Sequence, residues 1–148
     1  MNRARLALGA GLAAVAIASV GCGGDDRLST EDFQQQANAI CQKYNDKIEA
    51  VRPSSPEEIP RFVEEGVPLI QQGLAELRAL KPPEDVEDDF NQMLDLTAGA
   101  VPAARKLGEA AADNDAAGVQ NALDQLERVS TSSNRIARTL GLDKCAES

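Results

Sequence analysis

The sequence predicts an all-α protein folded as an antiparallel up-down-up-down four-helix bundle, and three observations carry that prediction. From about residue 30 onward, apolar side chains recur at spacings of three and four. Ala, Leu, Glu and Gln dominate there, and no alternating β-branched run interrupts them. Three turn clusters, Arg52-Pro53-Ser54-Ser55-Pro56, Lys81-Pro82-Pro83 and Asp113-Asn114-Asp115, cut the periodic stretch into four segments. Links this short make consecutive helices antiparallel neighbours.

Helix one is expected to start near Thr30, capped by Ser29 or Thr30, with Glu31 and Asp32 favoured by the dipole in the first turn. Phe33, Ala37, Ile40, Tyr44, Ile48 and Val51 form its apolar face. Helix two begins around Pro56 or Pro60, both suited to a first turn. Its inner face runs Ile59, Phe62, Val63, Val67, Ile70, Leu74, Leu77 and Leu80. Pro68 lies inside it, lacks the N–H for one ladder bond and is expected to bend or divide the helix.

Helix three opens on the acidic run Glu84, Asp85, Glu87, Asp88 and Asp89 and turns Val86, Phe90, Met93, Leu94, Thr97, Val101, Ala104 and Leu107 inward. Pro102 repeats the interruption of helix two, so both central helices are expected to be kinked. Helix four follows the Asp113-Asn114-Asp115 turn with the stripe Val119, Leu123, Leu126, Val129, Ser133, Ile136 and Leu140. Gly141 stands where a left-handed residue closes a helix, and Leu142 is placed for the apolar contact that accompanies it.

The chain ahead of helix one has a different character. Arg3 and Arg5 precede an apolar run from Leu6 to Val20 broken only by Ser19, the charged and hydrophobic regions of a secretory signal. The run falls short of the roughly 20 residues a membrane span needs. It stops at Gly21-Cys22, and Gly23-Gly24-Asp25-Asp26 follows. Ser19-Val20-Gly21-Cys22 resembles the bacterial lipobox, which implies a diacylglycerol on the Cys22 thiol and cleavage on its N-terminal side. Residues 1–21 are then a lipoprotein signal peptide, 22–29 a lipidated Cys and flexible tether, and 30–148 the bundle domain. The competing reading is an ordinary secreted protein cut after a small residue. A single acyl chain gives marginal membrane affinity, whereas a diacyl or triacyl Cys anchors stably. The expected location is the outer face of the cytoplasmic membrane, or the periplasm or outer membrane of a cell that has one.

Composition narrows the chemistry. The 148 residues include no His and carry a net charge of −9. Serine–histidine and cysteine–histidine nucleophile pairs, imidazole bases and histidine-ligated metals are therefore excluded. An acidic chain is also a poor partner for nucleic acid, whose phosphates want a basic face. Cleavage before Cys22 removes Arg3 and Arg5 and no acid, which leaves 13 basic residues against 24 acidic ones. No cofactor or metal is expected.

With one cysteine assigned to lipid, Cys41 and Cys145 form an even pair in an exported protein, and a disulfide is the economical reading. Two buried thiols is the competing one. In an up-down bundle Cys41 lies about 16 Å along helix one, and the chain from Leu142 to Cys145 can reach back roughly 13 Å. The C-terminal tail is therefore expected to fold back along helix one.

The lipobox, the Gly-Asp tether, Ile40-Cys41-x-x-x-Asn45 and Leu140-Gly141-Leu142-x-x-Cys145 together resemble a set of small predicted lipoproteins of actinobacteria. The resemblance covers most of the exported chain. Its motifs are structural, so it implies placement and fold and no reaction.

Other constellations have plain explanations. The acidic run at Glu84–Asp89 has oxygen ligands for Ca2+ or Mg2+, but fits a solvated helix start better. Asp113-x-Asp115-x-Ala117-Gly118 with Asp124 imitates a calcium loop, yet Ala117 lacks the oxygen needed at its position. Tyr44, Asn45, Lys47 and Arg52 cluster on helix one, where Tyr44 falls on the apolar stripe. Arg128, Arg135 and Arg138 are spaced as a basic stripe for an acidic partner, or as ordinary solvated surface.

The function expected is a non-catalytic, lipid-anchored interaction or structural module of the cell envelope, with the membrane as partner through Cys22 and an envelope protein beyond it. The alternative is a binding protein holding a small or apolar ligand between its helices, a common site in bundles, opened by Pro68, Pro102 and the small residues Gly66, Gly73, Gly99 and Ala100. No acid, base and nucleophile set suggests an enzyme.

Overall fold

The computed structural model describes residues 26–147. The signal segment 1–21, Cys22 and the tether as far as Asp25 lie outside the described residues. Four helices follow one another: α1 (Thr30–Glu49), α2 (Ile59–Arg78), α3 (Glu87–Ala112) and α4 (Ala116–Thr139). Three-residue 3-10 turns at Pro56–Glu58 and Glu84–Val86 lead into α2 and α3, and a third 3-10 segment, Asp143–Ala146, ends the described chain. The bundle is all-helical, as the periodicity predicts, and no strand occurs among the described residues.

Local chemistry sets the helix ends. The Ser29 hydroxyl accepts the Asp32 N–H at 3.1 Å and caps α1. The α3–α4 corner holds Asn114 at φ 55°, with the Asp115 N–H donating to the Ala110 carbonyl at 2.8 Å and the Asn114 N–H to that of Ala111 at 3.2 Å. Asp115 also accepts the Gly118 N–H at 3.0 Å, so one residue closes α3 and caps α4. Gly141 closes α4 in the same way at φ 72°, with Leu142 N–H on Ala137 and Gly141 N–H on Arg138. Leu142 is then completely buried.

The inner faces meet in one core centred on Phe33, Phe90, Leu94 and Leu142, with Phe33 and Phe90 packed edge to face at 4.9 Å between ring centroids. Two expectations change, and a third is narrowed. Leu123, placed on the α4 stripe, is 44% exposed, and Ala122 is buried in its stead. The inner face of α4 is Ala122, Ser133, Ala137 and Leu140, and small residues at this seam let α4 lie close on α3. Neither proline divides its helix: α2 runs through Pro68 and α3 through Pro102, and both rings are exposed. Finally, the ordered domain reaches into the segment read as tether. Leu28 packs on the core and its N–H donates to the Lys81 carbonyl at 2.8 Å. Arg27 holds the Pro82 carbonyl at 3.0 Å and the Glu87 carboxylate at 2.9 Å.

On one side of the bundle the helix backbones stand further apart. α1 lies on α2, α2 on α3 and α3 on α4, but no Cα of α1 comes within 8 Å of one in α4. The gap is spanned by the C-terminal segment, which touches both helices. Cys41 and Cys145 are disulfide-bonded, with Cα atoms 5.0 Å apart. Gln34 Nε2 donates to the Leu140 carbonyl at 2.8 Å, Asn38 Nδ2 to that of Gly141 at 3.0 Å and Asn45 Nδ2 to that of Lys144 at 2.7 Å. Asn38 Oδ1 accepts the Lys144 N–H at 2.9 Å. Three amides along α1 thus grip the tail that the sequence folds back onto this helix.

Candidate functional site: the cleft between the first and last helices

Where the tail does not fill the space between α1 and α4, a cleft opens. Its inner end, about 100 Å³, runs past the disulfide between Ile40 and Tyr44 of α1, Leu74 and Leu77 of α2, and Met93 of α3. Its outer end, about 300 Å³, is walled by Ile48, Ile70, Val101, Ala104 and Leu126. Asn45, Ile48, Ile70 and Thr97 border both parts, so the two adjoin. Glu49, Arg52 and Glu147 form the rim of the outer part, where Arg52 and Glu49 pair at 3.0 Å. The lining is chiefly apolar, in the manner of ligand sites in bundles, and the outer part reaches the lower end of their usual size.

Few polar atoms enter this cleft, and their bonding is specific. Thr97 Oγ1 donates to the Met93 carbonyl at 2.9 Å, the local bond by which a helical Thr satisfies its hydroxyl. The Thr97 and Ser133 hydroxyls lie 3.0 Å apart, and Ser133 Oγ also donates to the Met93 carbonyl at 3.5 Å. Ser133 is only 7% exposed and is the buried polar residue on the inner face of α4. Asn45 spends one N–H of its amide on the Lys144 carbonyl, which leaves it a second N–H donor beside its Oδ1 acceptor.

Of the residues that sequence reasoning associated with a pocket, Ala100 borders the outer cleft. Gly73 lines the inner part and also permits close helix contact with Tyr44. Gly99 is exposed on open space, and Pro68 and Pro102 face outward, so neither proline opens the cleft. What opens it is the separation of α1 from α4, together with Thr97, Ala100, Ala104 and Ser133, whose short side chains leave volume unfilled. The signal lay in the polar Ser133 on an otherwise apolar stripe.

The helix-one cluster disperses. Tyr44 is buried and its hydroxyl donates to Glu76 Oε1 at 2.7 Å, where Lys43 Nζ also binds at 2.7 Å. Lys43 and Lys47 lie 5.0 and 4.8 Å from the ring centroid. These hydrogen bonds, Lys43's first, hold the Glu76 carboxyl below its ordinary range, and the bond to Glu76 raises both Tyr44 and Lys43.

The acidic run and the calcium-loop imitation are likewise local structure. Asp115 caps α4, Asp124 accepts from Gln120 at 2.7 Å and Glu87 pairs with Arg27. No cluster among the described residues has the makings of a metal site. Arg128, Arg135 and Arg138 are exposed on α4. No described helix is long and apolar enough to cross a membrane. No family model matches the chain, and no curated protein or solved structure matches it either.

Proposed function

We propose that the chain is a non-catalytic binding module, exported and held at the outer face of a bacterial membrane by lipid on Cys22, that takes a small apolar ligand into the cleft between α1 and α4. The cleft favours this reading over a purely structural role. A module built only to brace the envelope has no need of apolar space left open beside its core, because filling that space would stabilise it.

The attachment point supports the same assignment. The chain enters at the end of the bundle where Leu28 meets Lys81. Ile48, in the outer cleft, lies 18 residues beyond Thr30, about 27 Å along α1 at 1.5 Å per residue. A lipid on Cys22 therefore sets the outer cleft away from the anchored end, open to a ligand arriving from outside the membrane. The acidic surface, on a typically anionic bilayer, favours the same upright stance. The absence of histidine from the whole sequence and the exposed position of the cleft's two rim carboxylates, Glu49 and Glu147, favour binding over reaction.

Two measurements test the reading. Labelled palmitate enters the wild-type chain and not Cys22→Ser; equal labelling refutes the anchor. The apolar fluorophore N-phenyl-1-naphthylamine brightens on binding the exported Cys22→Ser chain, and Ala104→Trp, which fills the outer cleft, weakens that binding at least tenfold. No binding, or undiminished binding to a folded Ala104→Trp, refutes the cleft. Ala100→Leu supplies the same comparison with a smaller intrusion.

A further inference from the structure

Charge on the surface is unevenly paired. Among the described residues, every Arg and Lys outside positions 105–138 meets a carboxylate or lies over the Tyr44 ring. Arg105, Lys106, Arg128, Arg135 and Arg138 form no ion pair with the described residues, although the chain has 24 acidic side chains. Arg128 and Arg135 are two helical turns apart and share one face of α4. At 3.6 residues per turn, going round α4 from the cleft-lining Leu126 and Ser133 passes Val129, in a groove between α3 and α4, and then Ser132, Arg128 and Arg135. The two arginines therefore flank that groove on the side away from α1. Its α3 bank carries Asp88 and Asp95, both exposed, and Asp95 gives one oxygen to Arg78 at 3.1 Å. The contact between Thr97 and Ser133 sets the register of these antiparallel helices, so Asp95 and Arg135 stand level on opposite banks.

We propose that this face pairs with a second copy of the same chain, side by side on the membrane; the shared upright orientation rests on the Cys22 anchor. A two-fold axis parallel to the helices lays α3 of each copy on α4 of the other at equal height, so Asp95 of each copy meets Arg135 of the other and the contact is made twice. A second copy thus brings the carboxylates at the height the arginines require. An axis across the helices would instead set α4 on α4, arginine towards arginine, and would turn one copy upside down on its anchor. Gly99 has open space where a side chain would stand, which lets the two faces close, and half-buried Leu96 and Val129 add apolar surface in the groove. The net negative charge of the domain opposes approach, but between exposed charges that repulsion is largely screened beyond about 8 Å at physiological ionic strength, while pairs in contact keep their attraction. Anchoring both copies in one surface raises their effective concentration, so a modest interface suffices.

The test mixes lipidated chains carrying Gly99→Cys with lipidated chains carrying Ser132→Cys in phosphatidylcholine vesicles under mild oxidation. The mixed disulfide dimer is expected to form at least fivefold faster than the one between Ser132→Cys and Gln72→Cys, which places the thiol on the exposed side of α2. Arg128→Glu with Arg135→Glu on the Ser132→Cys chain removes that advantage, and Asp88→Arg with Asp95→Arg on the Gly99→Cys chain restores it. All of these positions are on the surface, and circular dichroism checks that each variant folds. Equal rates for the two dimers, an advantage that survives the arginine reversal, or a reversal that the aspartate exchange does not rescue overturns the pairing. Coupling of Ser132→Cys on intact cells to a different protein in place of this chain also overturns it. Palmitate labelling of the same chains reads the anchor separately: labelled chains that do not couple refute the pairing alone, and unlabelled chains refute the anchor and with it the upright alignment.

Discussion

The Tyr44 ring lies directly against the backbone of Gly73. A Cβ built on Gly73 would come within 3.1 Å of Tyr44 Cγ and Cδ2, closer than such contacts ordinarily run. Two helices approach here through the absence of a side chain, and the ring has little freedom to yield because its hydroxyl is bonded to Glu76 on the same helix as Gly73. In an exposed helix, Gly→Ala would stabilise by roughly 1 kcal/mol. Here overpacking outweighs that gain, and Gly73→Ala is expected to destabilise by about 1–2 kcal/mol in urea unfolding. The sign reverses in a Tyr44→Ala background, where the obstruction is gone; a Gly73→Ala that destabilises equally in both backgrounds contradicts the contact.

The same tyrosine ties stability to pH at both ends of the scale. Glu76 is depressed in the folded chain, first by Lys43 and then by the Tyr44 hydroxyl, so its contribution is present above the ordinary carboxylate pKa of about 4.3 and is lost as pH falls through the lower folded value. Tyr44 and Lys43 are raised, chiefly by Glu76, so theirs is present below about pH 10 and lost as pH rises through the folded values. Thermal midpoints of wild type and Glu76→Gln should therefore differ most between about pH 5 and 9 and converge outside that window. Added salt should shrink the difference, since the Lys43–Glu76 pair is exposed. A gap independent of pH would mean that this cluster does not govern the pH response.

The bundle was legible in the sequence because spacing, caps and turn residues all point the same way. Ser29, Gly141 and Leu142 have the roles that their types and positions imply. The site was less legible, for a reason visible at Leu123. Its spacing from Val119 and Leu126 suits an inner face, but small residues permit α4 to lie close on α3, and that packing rotates Ala122 inward and turns Leu123 out. Periodicity places residues on a face without saying how far apart two faces stand. The separation of α1 from α4, and hence the cleft, goes with the C-terminal tail taking the intervening place; the sequence disclosed the cysteine pair and the tail's return along α1, but not the space left beside it.

Asn38 is the tail's most specific holder. Its NH2 reaches the Gly141 carbonyl and its oxygen the Lys144 N–H, so one half-buried amide satisfies two backbone groups on either side of Leu142. Asn38→Leu leaves both without partners and is expected to cost about 2–3 kcal/mol of unfolding free energy. Asn38→Asp keeps the oxygen but loses the donor to Gly141, and should fall between wild type and Asn38→Leu. Gln42, also on α1, bonds only exposed Asp46, and Gln42→Leu should stay within about 0.5 kcal/mol of wild type. If Asn38→Leu is as mild as Gln42→Leu, the tail is not held by this residue.

The disulfide works on the same joint. Cys41 and Cys145 are 104 residues apart, so the bond closes most of the described domain into a loop, and removing it by Cys41→Ser with Cys145→Ser should lower stability by about 2–5 kcal/mol. The helices themselves should persist in circular dichroism, because α1 remains packed on α2 and Gln34, Asn38 and Asn45 still reach the tail. The local effect is larger than the global one. Since the backbones of α1 and α4 stand apart, loosening the tail also loosens a bridge between them, and amide exchange at residues 142–146 should accelerate before exchange in the α3–α4 seam does. Asn38→Leu in the disulfide-free chain should then cost more than in the wild type, because each restraint limits the damage from losing the other. Strict additivity, with uniform exchange across the domain, would show that the tail is not a separate strap and that the α1–α4 separation is held by something else.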